Sequence, residues 1–421
     1  MQHLLKPALA RALGASPAIA GALLGCTVLA GAALAQADPP APPAVDNPPP
    51  AEGPLEGRPE TAGAQALAIQ TPPPLPPTAE ELPVPMLQVP EGFKVEVFAA
   101  EIPDARTVRI ADSGNVYVSN WQANKVWVIP AGGEPQVLYE DLDWPNGIVI
   151  DGEDLYIAEH QQIVKAAGVD SSLDSPPELE VIYTDLGEPR PHGWRFLALG
   201  PDDKLYVSNS APCNICMPEE GFGEVRKLDK DGANAEPILR GMRNTVGFDF
   251  HPDTAEFYFT DNQRDWVSED LPEDELNRLT NPGNEHFGYP FCHNGTFTDP
   301  EYGWGYSCDD FTDPIALLGP HTAPLGMRFY TGDMFPEEYQ GAIFLARHGP
   351  WNRTTKIGGD VMVVHLDGDG NVASMEPFLT GFIQDNEYVG RPVDVAVMAD
   401  GSMLVTDDWN GAVYRISYDA M

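Results

Sequence analysis

The feature that most constrains this chain is a hairpin phrase that occurs six times. Each copy has a tight turn followed by an alternating strand that ends in small polar residues, and another short apolar strand precedes the turn. The phrases are DSGNVYVSN from Asp112, DGEDLYIAEH from Asp151, PDDKLYVSNS from Pro201, PDTAEFYFTDN from Pro252, YQGAIFLARHG from Tyr339 and ADGSMLVTDDW from Ala399. Alternation with period two beside such turns is typical of antiparallel hairpins. Six units of this size predict an all-β fold, a six-bladed β-propeller.

An open β-sandwich is the alternative all-β architecture, but it gives no reason for six copies of one unit. The segment FKVEVFAA, residues 93–100, is expected to pair with the C-terminal AVYRISY and so close the ring. The segment EDELNRL, residues 273–279, is the one short stretch that reads as an amphipathic helix.

Residues 1–35 have the layout of a cleaved secretory signal. Lys6 and Arg11 precede an apolar run, and Ala33-Leu34-Ala35 forms an A-x-A cleavage site. A membrane anchor is the alternative, but acidic, Pro-rich sequence follows directly. Lipid attachment at Cys26 is less favoured, because the apolar run continues past that residue. We therefore predict a periplasmic or secreted protein with no membrane span after cleavage.

The chain after the predicted signal divides into two parts. Residues 36–88 are rich in Pro, Ala and Glu and nearly free of aromatic residues, so they are predicted to form a disordered linker. The propeller domain is predicted to span residues 89–421. The formal net charge of −40 argues against nucleic acid and anionic membrane surfaces as partners.

Export to an oxidising compartment also predicts that the cysteines form disulfides. Cys213 with Cys216 and Cys292 with Cys308 are predicted to form two disulfides. A four-cysteine zinc site is the less favoured alternative. The chain has no Cys-x-x-Cys-His motif, which excludes a covalent haem of the c type.

The hairpins also predict which polar residues meet. The residue before the first strand and the residue after the second lie at one end of a hairpin, and in a propeller these ends surround the central channel. The entering residues are Arg106, Asn146, His192, Arg243 with Asn244, His321 and Arg391; the leaving residues are Asn120, Glu159 with His160, Asn209, Asp261, His348 and Asp407. The three arginines are expected to face an anionic ligand. Structural pairing with neighbouring acids is the alternative.

At this point the sequence resembles a known family. The motifs PHGWRFLALGPDDKLYVS, LRGMRNTVGFDFHP, DELNRLTNPGNEHFGYPFC, HTAPLGMRFYTGDMFP, FLARHGPWNR and GRPVDVAVMADGSMLVTDDWNGAVYRI occur in this order. Together they are similar to the sorbosone-dehydrogenase-like branch of the glucose/sorbosone dehydrogenase family, and the resemblance runs from about Val89 to the C-terminus. It implies an exported six-bladed propeller that uses pyrroloquinoline quinone (PQQ) and calcium.

The resemblance implies roles for particular residues. His192 of PHGWR occupies the position of the family's general base, and Arg243 with Asn244 matches the Arg-Asn pair that contacts the quinone. Arg391 of GRPVD matches a cofactor-binding arginine, and Arg353 of WNR is assigned a similar role.

The channel geometry adds Arg106, His321 and His348 to the predicted cofactor site. The family's calcium ion is held mainly by backbone oxygens of a loop that here reads TDNQRDW, which makes Asp261, Gln263 and Arg264 the candidate metal positions. The chain departs from the better-known soluble glucose dehydrogenases at Val393, where they have a second arginine.

The leading hypothesis is a PQQ-dependent dehydrogenase that oxidises a sugar, aldose or related alcohol and passes electrons to a separate acceptor, a cytochrome or a quinone. A second hypothesis is a calcium-dependent hydrolase of the lactonase type, with Glu159, Asn209 and Asp261 as metal ligands. A third is a propeller that binds a ligand without catalysis.

Overall fold

A computed structural model of the chain describes residues 72–73, 75–188 and 191–419. The predicted signal peptide, including Cys26, and most of the predicted linker lie outside these residues. Within the described part of the chain, no helix is long and apolar enough to cross a membrane.

The described residues form 28 strands. In the first two blades and the strand before them, they are β1 (Phe93–Ala99), β2 (Val108–Ile110), β3 (Val116–Asn120), β4 (Lys125–Ile129), β5 (Gln136–Tyr139), β6 (Ile148–Asp151), β7 (Asp154–Ala158), β8 (Ile163–Ala166) and β9 (Glu180–Tyr183). In the next two blades they are β10 (Leu197–Leu199), β11 (Leu205–Asn209), β12 (Glu224–Leu228), β13 (Glu236–Arg240), β14 (Phe248–Phe250), β15 (Phe257–Asp261), β16 (Glu273–Leu279), β17 (Cys292–His293), β18 (Phe297–Thr298) and β19 (Ala316–Pro320). The last blades contain β20 (Pro324–Phe329), β21 (Ile343–Arg347), β22 (Asp360–Leu366), β23 (Val372–Leu379), β24 (Ile383–Gln384), β25 (Glu387–Tyr388), β26 (Pro392–Val397), β27 (Met403–Asp407) and β28 (Ala412–Tyr418).

Short 3-10 helices complete the described secondary structure. They span Ala79–Glu81, Val84–Met86, Val169–Ser171, Cys308–Asp310 and Glu337–Tyr339.

The strands build six antiparallel four-stranded sheets, which confirms the predicted six-bladed propeller. In chain order the blades are β2-β3-β4-β5, β6-β7-β8-β9, β10-β11-β12-β13, β14-β15-β16-β19, β20-β21-β22-β23 and β26-β27-β28-β1. The strand β1 pairs with β28, so that Phe93 lies opposite Tyr418. The N-terminal strand therefore closes the ring, as the sequence predicted.

The hydrophobic core lies between the blades and consists of six clusters, one for each pair of neighbours. The strand β3 shows why the repeated phrase suits this arrangement. Tyr117 packs toward the second blade and Val118 packs toward the sixth, because successive side chains of a strand point to opposite faces. All five residues of β3 are buried, since both of its faces are covered.

The innermost strands of the blades approach each other closely around the channel. Gly147 and Gly247 mark two such contacts, because a Cβ atom at either position would overlap the backbone of the next blade, at Leu197 and Leu325 respectively. Glycine at these positions therefore fixes the narrow spacing that brings the strand ends together.

Residues 273–279 differ from the sequence expectation. They form β16, between β15 and β19, and the prediction of a helix is wrong. Asp274 Oδ1 accepts a hydrogen bond of 2.8 Å from the Gln263 amide, and Glu275 Oε1 accepts one of 2.7 Å from the Asn294 amide. Both carboxyl groups are buried in the fourth blade, and these tertiary contacts outweigh the helical propensity of the segment.

The end of the predicted linker also contacts the propeller. Two short 3-10 helices lie between residues 79 and 86, Leu82 is buried in the cluster between the fifth and sixth blades, and Gln88 pairs with Thr380. Order in this part of the chain therefore begins before residue 89.

Both predicted disulfides are present, joining Cys213 to Cys216 and Cys292 to Cys308. The four cysteines are thus used in pairs, which removes the zinc alternative.

Candidate active site at the channel mouth

The entering and leaving ends of the hairpins gather around one end of the channel, which we call the mouth. Contacts between blades connect its members. Arg106 Nε donates to Asn146 Oδ1 at 3.4 Å, and Asn262 Nδ2 donates to the carbonyl of Pro324 at 2.8 Å. The Thr406 hydroxyl, from the sixth blade, donates to the carbonyl of Arg106 at 2.6 Å. Neighbouring blades therefore hold the mouth residues in a fixed arrangement.

His192 is half-buried at the mouth, and its backbone has the left-handed φ of 53°. Its Nδ1 donates a hydrogen bond of 2.7 Å to the carbonyl of Ala211, whose own amide donates to the carbonyl of Arg243 at 2.8 Å. Burial, followed by the charge of Arg243, lowers the pKa of His192 to about 3. The ring is therefore neutral at neutral pH, with the proton on Nδ1 and the lone pair on Nε2.

Arg243 is held by four hydrogen bonds to residues of the third and fourth blades. Nε and Nη2 donate to the carbonyl and Oδ1 of Asn214, each at 2.8 Å. Nη1 donates to the carbonyl of Asn262 at 3.1 Å, and Nη2 forms an ion pair of 3.0 Å with Asp265. The guanidinium is thus fixed beside His192 and partly neutralised by Asp265.

A second cluster is centred on Asp408. Its Oδ2 accepts from Arg106 Nη1 at 2.9 Å, and its Oδ1 accepts from His348 Nε2 at 2.8 Å. Burial lowers the pKa of His348 to about 4, so the ring is a neutral donor to the carboxylate. Burial alone would raise the pKa of Asp408, but His348 and Arg106 lower it below its usual range. The carboxylate is therefore ionised.

Arg391 differs from Arg106 and Arg243 in its partners. Its Nε and Nη2 donate to the carbonyls of His348 and Gly349 at 3.1 and 2.6 Å, and the guanidinium lies 4.5 Å from the centre of the Tyr388 ring. Within the described residues, no carboxylate lies within 4.0 Å of it. Of the mouth arginines predicted from the entering strands, Arg391 is the one without a direct ion pair among the described residues, and Asp408 and Asp407 act on its charge from a longer distance.

Three mouth residues carry hydrogen-bond acceptors that are buried without a partner among the described residues. These atoms are Asn209 Oδ1, Asn244 Oδ1 and His321 Nδ1. The Asn244 amide donates to Asp261 Oδ1 at 2.7 Å, and His321 Nε2 donates to the carbonyl of Ser268 at 2.8 Å, which leaves Nδ1 as the acceptor. Such atoms suit a ligand rich in hydroxyl donors.

Arg353 lies beside the mouth, where its charge adds to burial in lowering the pKa of His321. Its guanidinium donates to the carbonyl of Glu269 and to Asp270 Oδ1, and its Nε donates to the carbonyl of Thr355 at 3.1 Å. These bonds connect two loops, so the geometry gives no support to its predicted role in cofactor binding.

The side chains at the predicted calcium positions are engaged by other protein groups. Asp261 accepts from the amides of Arg243 and Asn244, and Gln263 Oε1 accepts from His293 Nδ1 at 2.7 Å. Arg264 is a cation that pairs with Asp299 and Glu301. These three side chains therefore do not form a calcium site by themselves, and the prediction depends on the backbone oxygens of the loop.

The metal site of the lactonase hypothesis is not formed either. Glu159 accepts from the Asp143 amide and from Gln162, and Asn209 donates to the carbonyl of Gly221. Across the described part of the chain, no group of three or more His, Cys, Asp and Glu side chains is arranged to hold a metal ion.

The mouth fits a ligand that carries carboxylate groups, and the predicted quinone is such a ligand. Arginine has five N–H donors. The hydrogen bonds given above use two donors of Arg106, two of Arg391 and four of Arg243. The remaining donors, and the unpaired charge of Arg391, are the chemistry that a carboxylate requires.

The sequence did not single out the acids that position the arginines. Asp265 and Asp408 lie in loops just beyond strand ends, one residue or more after the positions that the hairpin rule selects. The neighbouring Asp407 was selected instead, but it accepts from the Arg391 amide, Asn410 and Tyr414 within its own blade. The doubled Asp of TDDWN was the available signal.

The sequence of this chain is similar to a known family and to individual proteins. A family model described as Glucose / Sorbosone dehydrogenase matches residues 158–415, more than half of the chain. An uncharacterized protein of Borreliella burgdorferi is 30% identical over 351 residues, covering 79% of this chain and 91% of the relative. A pyrroloquinoline quinone-dependent pyranose dehydrogenase of Coprinopsis cinerea is 27% identical over 270 residues, covering 48% of this chain but only 36% of that protein.

Solved structures share the fold. The holo form of the pyranose dehydrogenase PQQ domain from Coprinopsis cinerea has a TM-score of 0.67 at 20% identity, covering 79% of this chain and 97% of that one. A Trichoderma reesei carbohydrate-active enzyme of family AA12 has a TM-score of 0.71 at 19% identity, covering 80% and 99%.

The matched family model runs from the end of β7 into β28 and includes His192, Arg243 and Arg391 of the mouth. The chain belongs to the glucose/sorbosone dehydrogenase family.

Proposed function

We propose that this protein is a PQQ-dependent dehydrogenase that oxidises a sugar, aldose or related alcohol, with His192 as the general base. The observation that carries the proposal is the state of His192. Its Nδ1 proton is committed to the carbonyl of Ala211, and Arg243 disfavours a second proton. Nε2 is therefore unprotonated, and its lone pair is available to a hydroxyl proton.

The cations of the mouth support binding of an anionic cofactor. The chain has a formal charge of −40 and would repel a tricarboxylate unless fixed cations faced it. Arg391, which has no described carboxylate partner, and Arg106 would hold carboxylates of the quinone through their remaining donors. When bound, the quinone supplies a hydride acceptor, which no side chain of the protein can provide.

The residues around His192 would act on the substrate. His192 Nε2 takes the hydroxyl proton as the carbinol carbon loses its hydride, a contribution of about 10²–10⁴-fold for a positioned base. Asn244 Oδ1 and His321 Nδ1 would accept hydrogen bonds from other hydroxyl groups and so orient the sugar. Because the pKa of His192 is low, the imidazolium formed gives up its proton readily to water after product release.

We further propose that the protein works outside the cytoplasm and passes its electrons to a separate acceptor, a cytochrome or a quinone. The two disulfides support the first point, since they form in oxidising compartments. The absence of a c-type haem motif from the sequence supports the second. No step in this proposal depends on a calcium ion.

The test is reconstitution of the purified protein with PQQ, with and without added calcium. We expect a visible absorbance change on binding and dye reduction with at least one member of a panel of aldoses and polyols. A protein that does not bind the quinone contradicts the proposal. Binding without turnover on any substrate would favour the non-catalytic propeller.

A further inference from the structure

Residues 211–216 form a loop after β11 of the third blade, which we call the base loop, and a disulfide joins its third and last residues. The side chain of Asn214 makes two contacts from this loop. Its Oδ1 accepts hydrogen bonds of 2.8 Å from Arg243 Nη2 and from the Asp265 amide. The Asn214 carbonyl accepts a third bond of 2.8 Å, from Arg243 Nε. One asparagine therefore connects the guanidinium of Arg243, and the acid that pairs with it, to a covalently closed loop.

The first residue of the base loop holds the proposed base. The Ala211 carbonyl accepts the 2.7 Å hydrogen bond of His192 Nδ1, and the Ala211 amide donates to the carbonyl of Arg243 at 2.8 Å. Arg243 thus contacts the loop at two points, Ala211 through its backbone and Asn214 through its guanidinium. Together these contacts fix the carbonyl that orients His192.

The buried Tyr289 hydroxyl anchors the other end of the base loop. It donates to the Asn214 carbonyl at 3.4 Å and accepts from the Cys216 amide at 3.1 Å. It also lies 3.3 Å from Cys213 Sγ. The disulfide and this hydroxyl hold the backbone of Asn214, so its side chain is directed at Arg243.

The position of the base loop has a chemical consequence for His192. A neutral imidazole can carry its proton on either ring nitrogen, and the hydrogen bond of one nitrogen selects the tautomer. Because a carbonyl oxygen only accepts, Ala211 keeps the proton on Nδ1 and the lone pair on Nε2. If the loop moved, a fraction of the rings would carry the proton on Nε2 and could not accept another there.

We propose that Asn214 is a positioning residue, which sets the tautomer of His192 by fixing the base loop through Arg243. The value of this tautomer for oxidation rests on the proposed function. The tautomer itself does not, so it can be measured in the protein without quinone.

Nitrogen NMR of histidine-labelled protein at neutral pH shows which ring nitrogen of His192 carries the proton, and His192→Gln identifies the signal. The wild type is expected to show one tautomer, protonated at Nδ1. Asn214→Ala is expected to show a mixture of both tautomers.

Asn115→Ala is the matched control. Asn115 is also buried, its Nδ2 donates to Asp170 Oδ1 at 2.8 Å, and its Oδ1 accepts from the Ala131 amide at 3.0 Å. It lies in the turn between β2 and β3, at the opposite end of the hairpin from the mouth. This variant should lose stability but keep the wild-type tautomer of His192.

Kinetics of the quinone-loaded protein give a second readout. Because a misplacement of about 1 Å can cost about 10²-fold, kcat of Asn214→Ala should fall by about 10- to 100-fold while KM changes little. A mixture of tautomers without a change in kcat would contradict His192 as the base of the proposed function but support the positioning role of Asn214.

The inference is overturned if folded Asn214→Ala keeps the single Nδ1 tautomer, whatever its activity, or if Asn115→Ala mixes the tautomers to the same extent. If Asn214→Ala does not fold, Asn214→Ser, whose side chain is shorter but still polar, decides by the same criterion.

Discussion

The mouth of the channel and a layer deeper inside it contain the same types of charged residue in different settings. We call the deeper group, Arg109, Asp249, Arg328 and Asp394, the inner layer. Arg109 Nη1 lies 2.7 Å from Asp394 Oδ2, and Asp249 Oδ2 accepts from the Phe329 amide at 2.9 Å. Two arginines here face two aspartates, and no histidine belongs to the group.

Unlike the inner layer, the mouth contains neutral imidazoles as well as arginines and aspartates. Burial lowers the pKa of His192, His321 and His348, and His321 Nδ1 is left without a partner among the described residues. Ion pairs with arginine occur in both regions, so pairing with an acid does not mark an arginine as structural. The neutral rings, and Arg391 with no direct ion pair among the described residues, distinguish the mouth as the place for chemistry.

An apolar layer separates the two regions. Val246, Leu325 and Val393 pack together with Trp194 just below the mouth. Val393 is the position where the better-known soluble glucose dehydrogenases have a second arginine. Here it contributes to this apolar layer. The two regions should therefore respond to mutation in different ways.

The largest expected effect is on stability and arises in the inner layer. Arg109→Met leaves the buried Asp394 carboxylate without its cation, which typically costs about 3–5 kcal/mol. Denaturant unfolding measures the loss, and turnover per folded molecule should be unchanged. Adding Asp394→Asn should restore part of the stability. A variant within about 1 kcal/mol of the wild type would show that the inner layer does not support the fold.

Replacing Arg391 should lower cofactor affinity more than stability, which is the opposite of replacing Arg109. Arg391→Met removes charged donors at the mouth, which are worth about 1.5–3 kcal/mol each, so affinity for the quinone should fall at least tenfold. Absorbance titration with PQQ measures the affinity, and thermal unfolding should shift less than for Arg109→Met. Arg391→Lys, which keeps the charge, serves as the control. Unchanged affinity would remove Arg391 from the cofactor site.

The pH dependence of stability should reveal the buried acids that support the mouth. Burial, with the charge of Asp261 as the next cause, raises the pKa of Glu275 to about 8, and burial raises that of Asp274 to about 7. A raised pKa in the folded state adds stability below the unfolded pKa, which is lost as pH rises through the folded value. Melting should therefore occur at higher temperature near about pH 5 than near about pH 9. Glu275→Gln should reduce that difference, and an unchanged difference would contradict the assignment.

The smallest effect is expected at Arg353, which tests where the mouth ends. Its ion pair with Asp270 involves a carboxylate that is 85% exposed, and such pairs contribute about 0–1 kcal/mol. Arg353→Ala should leave quinone affinity unchanged and shift the melting temperature only slightly. A large loss of affinity would extend the cofactor site to this loop.

Much of the fold could be predicted because turn chemistry and alternation act locally. Those rules identified the six hairpins and the end at which His192, Arg243 and Arg391 lie. They failed at residues 273–279, where burial against the fourth blade outweighs local propensity.

These local rules could not identify the residues that contact the site residues. The hairpin pattern shows at which end a residue lies but not which loop side chain it contacts. Asp265 and Asp408, which fix the arginines, therefore went unnoticed. The contacts among Trp121, Trp144 and Trp194 were missed for the same reason, since these residues come from three separate loops.

The most direct test of the central claim is the pH profile of kcat/KM for dye-linked oxidation, compared between the wild type and His192→Ala. Because burial and, to a smaller extent, the charge of Arg243 lower the pKa of His192, the neutral base should persist below the ordinary histidine range. The wild-type acid limb should therefore lie below about pH 5, and His192→Ala should lose about 10²–10⁴-fold activity together with that limb. An acid limb near the ordinary histidine pKa, or the same limb in the variant, would contradict the account.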